Sequence, residues 1–227
     1  MRIILIGQGR MGRRVADLAC DYNCVVTGLV DSQSVLREGD SRLEGVDVAI
    51  DFSQASAVKA NTVLLARRGI NIVIGTTGWS MDEEAVRQIV ADGGIGVVVA
   101  PNFSVGAVLF EAMVAYGAKL FAGQNQFGAY LHEVHHGGKK DAPSGTALGL
   151  KQTMETMGFN RGINVSYTRV GYVPGTHTVG FDGPTETVKL IHTVRDRSTF
   201  AQGALVAANW IQGRRGWFTM KEVLGCS

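Results

Sequence analysis

Cysteine is scarce in this chain, and what there is forms no pattern. Cys20, Cys24 and Cys226 include no CxxC pair. An odd count without metal-type spacing argues against a disulfide framework and for free thiols in a reducing compartment, so a cytoplasmic location is expected. Charge of one sign is scarce too. The 22 Lys and Arg nearly balance the 20 Asp and Glu, for a formal charge of +2. The basic pairs Arg13-Arg14, Arg67-Arg68 and Arg214-Arg215 are scattered. A nucleic-acid surface needs its basic residues on one face, so no nucleic-acid partner is expected. The opening apolar run reaches Gly7 at once, too short for a signal peptide or membrane span, and no membrane association is expected. No repeat or low-complexity stretch is visible. Glycine, by contrast, is plentiful at 30 residues, many placed just after apolar runs. With 227 residues the chain can build one large or two modest domains.

The first half alternates strands and helices. Arg2 to Ile6 is a short β-branched run, hence a buried strand. It leads into Gly7-Gln8-Gly9-Arg10-Met11-Gly12, a G-x-G-x-x-G, and then a helix over Arg13 to Cys20. A second strand, Val25 to Val30, ends on Asp31, about 20 residues past the glycines. Alone, the glycine motif is weak. Between a strand and a helix, with an acid at that distance, it points to dinucleotide binding: the glycines admit a pyrophosphate and the carboxylate accepts from the adenosine ribose. The plain alternative is a tight turn with Asp31 capping the strand end. Strands are expected at Val46 to Phe52, Asn71 to Gly75 and Gly96 to Ala100, with helices over Ala55 to Arg68 and Met81 to Asp92. This alternation predicts a parallel, doubly wound α/β sheet of Rossmann type. Ligands collect at the carboxyl ends of such strands. The segments there are Asp51-Phe52-Ser53, Gly75-Thr76-Thr77-Gly78 and Ala100-Pro101-Asn102-Phe103-Ser104. Together they suggest a cofactor crevice, although each alone is also ordinary turn chemistry. An acid at residue 31, followed by Ser32 and no arginine, favours NADH over NADPH. Arg10 leaves NADPH open as a second cofactor.

From about Ala129 the pattern turns β-rich. Ser104 to Lys119 reads as a long apolar helix before it. Strands are expected at Tyr130 to Val134, Asn164 to Val170, Thr178 to Phe181 and Val188 to Val194. The last alternates apolar and polar residues, as a sheet with one covered face does. A smaller α+β domain with an open mixed sheet, suited to oligomer contacts, is therefore expected. Phe200 to Trp210 reads as an amphipathic helix, and the tail from Trp217 to Leu224 as a strand or short helix.

The most informative stretch runs from His135-His136 through Lys139 to Pro143-Ser144-Gly145-Thr146. Two histidines can titrate near neutral pH. The following run, Ala147 to Met157, reads as a helix with Pro143 suited to its first position. A helix start offers free N–H groups and a positive dipole end to a carboxylate or phosphate. Acid groups thus stand beside an anion cradle. Zinc binding is the rival reading, but no Cys or carboxylate completes a ligand set at zinc-like spacing, so no metal is expected. Asp141 reads as a helix cap or an orienter of the basic residues. His132 and His177 read as surface or core histidines. Arg169, Arg195 and Arg197 are candidate carboxylate contacts, with surface pairing equally open.

The string His135-His136 to Thr146, of the form HHxxKxDAPSGTA, resembles the signature of the dihydrodipicolinate reductase family. The similarity extends to the glycine loop, to Asp51-Phe52-Ser53, Gly75-Thr76-Thr77-Gly78, Asn102-Phe103-Ser104-Val105-Gly106, Phe200-Ala201-Gln202-Gly203-Ala204-Leu205 and Val223-Leu224-Gly225. The chain departs from many members in a glycine loop one residue shorter, a short segment between Ser32 and Leu43, and a short region near Val165. The resemblance implies NADH- and/or NADPH-dependent reduction of 4-hydroxy-tetrahydrodipicolinate, a small cyclic imine with two carboxylates, in lysine and diaminopimelate synthesis. It implies His135 and Lys139 as proton donors and His136, Gly145 and Thr146 as substrate contacts. Cofactor contacts are implied at Gly75, Thr76, Thr77 and Ala100 to Phe103 (Ala100, Pro101, Asn102, Phe103), beside Gly7, Gln8, Gly9, Arg10, Met11, Gly12 and Asp31. A homotetramer is implied, as are discontinuous domains: 1–106 with 197–227 for the dinucleotide, and 107–196 for substrate and oligomerisation. Two rivals remain: a reductase of another anionic imine or carbonyl compound, and an NAD-binding sensor without turnover.

Overall fold

Residues 1–226 are described by the computed structural model. They form two compact units, Met1–Val105 with Ser198–Gly225, and Gly106–Arg197. In chain order the first unit holds β1 (Arg2–Ile6), α1 (Arg10–Leu18), β2 (Val25–Val30), β3 (Val48–Asp51), α2 (Ala55–Ala66), β4 (Asn71–Ile74), α3 (Glu83–Gly93) and β5 (Gly96–Val99). The second holds α4 (Val105–Ala122), β6 (Gly128–His135), α5 (Gly145–Thr156), β7 (Ile163–Arg169), β8 (Gly175–Asp182) and β9 (Thr187–Val194). The chain then returns to the first unit as α6 (Ser198–Trp210), β10 (Gly216–Phe218) and α7 (Met220–Val223).

The first sheet has the order β10-β5-β4-β3-β1-β2 and every pairing is parallel. Its strands are apolar nearly throughout because helices cover both faces. Ile4, Ile6, Ala49, Ile72, Ile74 and Val97 pack with Val58, Leu65, Val86 and Val90 of α2 and α3. The chain goes from β1 to β2 on one side and then to β3 on the other. That reversal opens a crevice at the carboxyl ends of β1 and β3, where doubly wound folds bind ligands. The tail, expected as strand or helix, is both: β10 extends the sheet, and α7 starts on a capping box of Thr219 and Glu222.

The second sheet is mixed, in the order β7-β6-β8-β9, with β6 and β7 parallel and the other pairs antiparallel. The period-2 alternation of β6 turns Ala129 and Leu131 to one face, where Val179 and Phe181 of β8 join them. Phe110, Val114 and Ala118 of α4 and Ala147, Leu150 and Met154 of α5 close this core. α4 is by length and composition apolar enough to cross a membrane, and its outer residues Met113, Tyr116 and Leu120 are exposed. The helix expected from Ala147 starts at Gly145, and Pro143 is not its first residue. Ser144 is the N-cap, its side chain accepting from the Ala147 N–H, which sets the start after Pro143.

Candidate active site

The glycine loop in the first unit has two kinds of glycine. Gly7 has φ +99°, and a Cβ there would stand 2.3 Å from the Phe52 carbonyl oxygen. At Gly12 a Cβ would stand 1.9 Å from the Gly7 carbonyl oxygen. Both glycines are required by the chain's own packing. At Gly9 a Cβ would meet no atom of the described residues within 4 Å. Gly9 is also the N-cap of α1, without a side-chain cap and with no acid in the first turn. The first N–H groups of that helix, at Arg10, Met11 and Gly12, are thus open to an anion, and the side of Gly9 is clear for its approach. Gln8 is half-buried, while Arg10 is exposed at the helix start.

Three further loops lie at the same sheet edge. The Gly7 N–H donates to Val30, beside Asp31 at the end of β2. Asp31 Oδ1 accepts from the N–H groups of Gln33 and Ser34 and from the Ser34 hydroxyl. These bonds, the Ser34 hydroxyl first, hold the Asp31 carboxyl below its ordinary range. Asp31 is therefore a strand-end cap whose second oxygen is unclaimed by those bonds. Arg42 lies near, yet it is spent on Asp40 and on the carbonyls of Leu29, Ser34 and Val35. At the end of β3, Asp51 is buried and accepts from the Ser53 N–H, the Asn61 amide and the Thr76 hydroxyl. Ser53 Oγ is buried without a hydrogen-bond partner among the described residues. Gly75 is glycine because the Phe52 ring would lie 2.1 Å from a Cβ there, and Phe103 meets that ring edge-on at 6.2 Å. Thr76 is buried, Thr77 and Pro101 are exposed, and Ala100 is buried. The Asn102 side chain accepts from the Ser104 N–H. The fold thus gathers every first-unit candidate at one edge, while the hydroxyl of Thr76 and the amide of Asn102 serve the loops themselves.

In the second unit the inward face of the sheet changes character toward the end of β6. After Ala129 and Leu131 the inward positions become Glu133 and His135, both buried. Their register partners are Tyr167 and Arg169 on β7, and His177 faces Glu133 from β8. The Glu133 carboxylate is the hub. Its Oε1 accepts from the Ser144 N–H at 3.0 Å and from Arg169 Nη2 at 2.5 Å. Its Oε2 accepts a short hydrogen bond from Ser144 Oγ and lies 3.6 Å from His135 Nδ1 and 3.5 Å from His177 Nε2. Burial alone would raise the Glu133 pKa; the hydrogen bonds from Ser144 and Arg169 bring it below the usual value. Burial pushes His177 down to about 4. His135 is also pushed down, by burial first and by Lys139 and Arg169, against the pull of Glu133 and Asp141.

Lys139 Nζ reaches both oxygens of Asp141, at 2.7 and 2.8 Å. Asp141 is therefore an orienter of Lys139, and the helix cap is Ser144. Arg169 also donates to the Asp141 carbonyl at 2.7 Å, tying the Lys139 loop to the Glu133 hub. Gly145 and Thr146 sit exposed at the start of α5, and His136 is half-buried beside Gly138. Arg169 is an internal partner rather than a surface pair, while Arg195 and Arg197 are exposed.

The sequence reading missed Glu133 and undervalued His177. The available signal was the alternation in β6, which put an acid at an inward position. The carboxylate found wanting near the histidines is present: ligand atoms of Glu133, His135 and His177 all lie within 4.8 Å of one another, a spacing that can hold a metal ion. The residues fit a cation poorly. Two Ser144 donors and the Arg169 guanidinium already take the carboxylate, and a guanidinium repels a second positive charge.

Both halves of the chain match family models of known proteins. The family model for the dihydrodipicolinate reductase N-terminus matches residues 1–103, and the one for the C-terminus matches residues 106–224. The 4-hydroxy-tetrahydrodipicolinate reductase of Christiangramia forsetii is 33% identical, over 99% of this chain and 98% of its own length. The enzyme of that name from Archaeoglobus fulgidus is 33% identical over 99% of this chain and 100% of its length. In fold, the chain superposes on a dipicolinate-bound dihydrodipicolinate reductase from Paenisporosarcina sp. TG-14 with a TM-score of 0.83, at 22% identity and 98% coverage of both chains. With both family models matched end to end and relatives of this identity along the full length, the chain belongs to the dihydrodipicolinate reductase family.

Proposed function

We propose that His135 and Lys139 handle the protons, and the start of α5 the substrate carboxylate, in the reaction of this family. The chain is an NAD(P)H-dependent oxidoreductase, a 4-hydroxy-tetrahydrodipicolinate reductase of lysine and diaminopimelate biosynthesis. The observation that carries the residue assignment is the convergence of a buried imidazole, an ammonium and the exposed Gly145–Thr146 start of α5 at one end of the second sheet.

The substrate class is a small cyclic imine with two carboxylates, and the dipicolinate bound to the solved relative is likewise a small ring dicarboxylate. One carboxylate sits on the N–H groups of Gly145 and Thr146, with Lys139 leaving Asp141 to pair with it and His136 beside it. His135, with Lys139, supplies the proton or holds the developing negative charge. A positioned acid of this kind contributes about 100- to 10,000-fold in rate.

The first unit fits a pyridine nucleotide: the clear side of Gly9 and the uncapped α1 start suit a pyrophosphate, and Asp31 suits a ribose. When bound, NAD(P)H supplies the hydride. Gly75, Thr76 and Thr77, with Ala100 to Phe103, offer their backbone to its nicotinamide end. NADH is the preferred cofactor, because the ionised Asp31 opposes a 2′-phosphate and Arg42 is committed elsewhere; Arg10 permits some use of NADPH. The enzyme works as a homotetramer in the cytoplasm.

The test is oxidation of NADH and NADPH by the purified chain, with substrate generated in situ from pyruvate and aspartate semialdehyde. Substrate-dependent oxidation with a lower KM for NADH is expected. Lys139→Ala should lower kcat/KM at least 100-fold and leave NADH affinity unchanged. Unchanged turnover in that variant would remove Lys139 from the mechanism, and tighter NADPH binding would reverse the cofactor assignment.

A further inference from the structure

We propose that Glu133 is the positioning residue for His135, and that Glu133 and Arg169 bias the same imidazole in opposite directions. The inference rests on the reading of His135 as a proton-transfer residue.

The geometry is specific. His135 Nδ1 is buried and has no hydrogen-bond partner among the described residues. The nearest acceptor is Glu133 Oε2 at 3.6 Å. This carboxylate is fixed rather than adaptable: the Ser144 N–H, the Ser144 hydroxyl and Arg169 Nη2 all donate to it, and it is fully buried. A small shift of the ring closes 3.6 Å to hydrogen-bond length. His135 then carries its proton on Nδ1 and leaves Nε2 as the exchanging atom. Nε2 packs against Gly175, where a Cβ would stand 3.0 Å away, so the glycine keeps that ring nitrogen from being crowded.

The charged and titratable groups around His135 come from every element packed against it. Glu133 lies on its own strand, Lys139 and Asp141 on the following loop, Arg169 on β7 and His177 on β8. Burial keeps His177 neutral beside it, with Nε2 3.3 Å from Ser144 Oγ, the hydroxyl that donates to Glu133. Glu133 is therefore the anion nearest the imidazole. Without it, the cations of Arg169 and Lys139 would oppose imidazolium unchecked. Arg169 also holds Glu133 ionised and anchors the carbonyl of Asp141, the residue that orients Lys139. One carboxylate thus links both proton carriers and the cap of the substrate-binding helix.

Two readouts separate this inference from the reading beneath it. The first is the His135 titration midpoint, followed by NMR in the wild type, Glu133→Gln and Arg169→Met. Glu133→Gln should lower the midpoint by about one unit, and Arg169→Met should raise it. The second is kcat against pH. Its alkaline limb, where the proton donor is lost, should move with the NMR midpoint in each variant, with kcat at pH 7 falling about tenfold in Glu133→Gln, since one unit is a factor of ten. KM for NADH should not change. Midpoints that do not move, or that move the same way in both variants, overturn the positioning role. Midpoints that move as stated while the kcat profile ignores them leave Glu133 in place and overturn the role of His135. Should Glu133→Gln not fold, Arg169→Met and Glu133→Asp carry the test, the aspartate being expected to keep the wild-type midpoint to within about half a unit.

Discussion

Gly9 and Gly12 share a motif but not a reason. A Cβ at Gly12 would collide with the Gly7 carbonyl, so that position is glycine for the fold. Gly9 has φ −70°, ψ −172°, a conformation open to any residue, and empty space on its Cβ side. Only something outside the chain can need its bareness. Gly9→Ala should therefore stay within about 1 kcal/mol of wild-type stability, the usual scale for an N-cap exchange, while weakening NADH at least about tenfold. Gly12→Ala should cost about 2 kcal/mol or more. Denaturant unfolding and a fluorescence titration of NADH check both, and a Gly9→Ala variant with unchanged affinity would exclude a pyrophosphate at that loop. This motif was legible because strand, glycines, helix and acid are all local. Glu133 and His177 were not legible, because their significance comes from three strands lying side by side. Nothing near His177 in sequence says that it shares a carboxylate with His135.

The same contrast holds for whole elements. The parallel strands stood out as apolar runs between helical stretches, and each lies within two or three residues of its expected position. The start of α5 did not, because two local rules competed. Proline at a first helical position is a preference of backbone geometry, whereas Ser144 gains a side-chain bond to Ala147 and a buried partner in Glu133. The added bonds decided it. The open mixed sheet was legible from the alternation in β9, and its uncovered face is the surface on which the proposed tetramer would associate. Ile191, on the edge strand β9, is 61% exposed and pairs with Thr178 on that face. An apolar edge strand with unpaired backbone groups invites another strand. If the proposed tetramer forms through this face, Ile191→Glu should convert it to smaller species with the far-UV spectrum retained, measured by sedimentation velocity. A tetramer that survives the charge would move the interface elsewhere.

Across the whole molecule the titrating and the fluorescent side chains are segregated. His132, His135, His136, His177 and His192 all lie in the second unit, and Trp79, Trp210 and Trp217 all lie in the first. Burial lowers His177 to about 4 and lowers His135 and His192 as well. A histidine whose folded pKa is depressed takes up its proton in the unfolded chain first. Its contribution is thus complete above about pH 6.5 and is lost as pH falls from there toward the folded pKa. For His177 the loss approaches 1.4 kcal/mol per pH unit within that window. Glu133 adds a loss of the same sign only below its ordinary pKa of 4.5. In the first unit the depressed groups are carboxylates, Asp31 and Asp40, the latter at about 2, so stability there is lost only below their ordinary 3.8. Acidification from pH 7 to pH 5 should therefore weaken the second unit and spare the first. In urea at pH 5, part of the far-UV signal should unfold at lower denaturant than at pH 7, while the tryptophan transition stays in place. Saturating NADH should raise the tryptophan transition and leave the early far-UV phase where it is, because a ligand stabilises the unit that binds it. His177→Gln should narrow the gap between the two phases at pH 5. If both signals instead shift together with pH, the units unfold as one and the histidine cluster governs the stability of the entire chain.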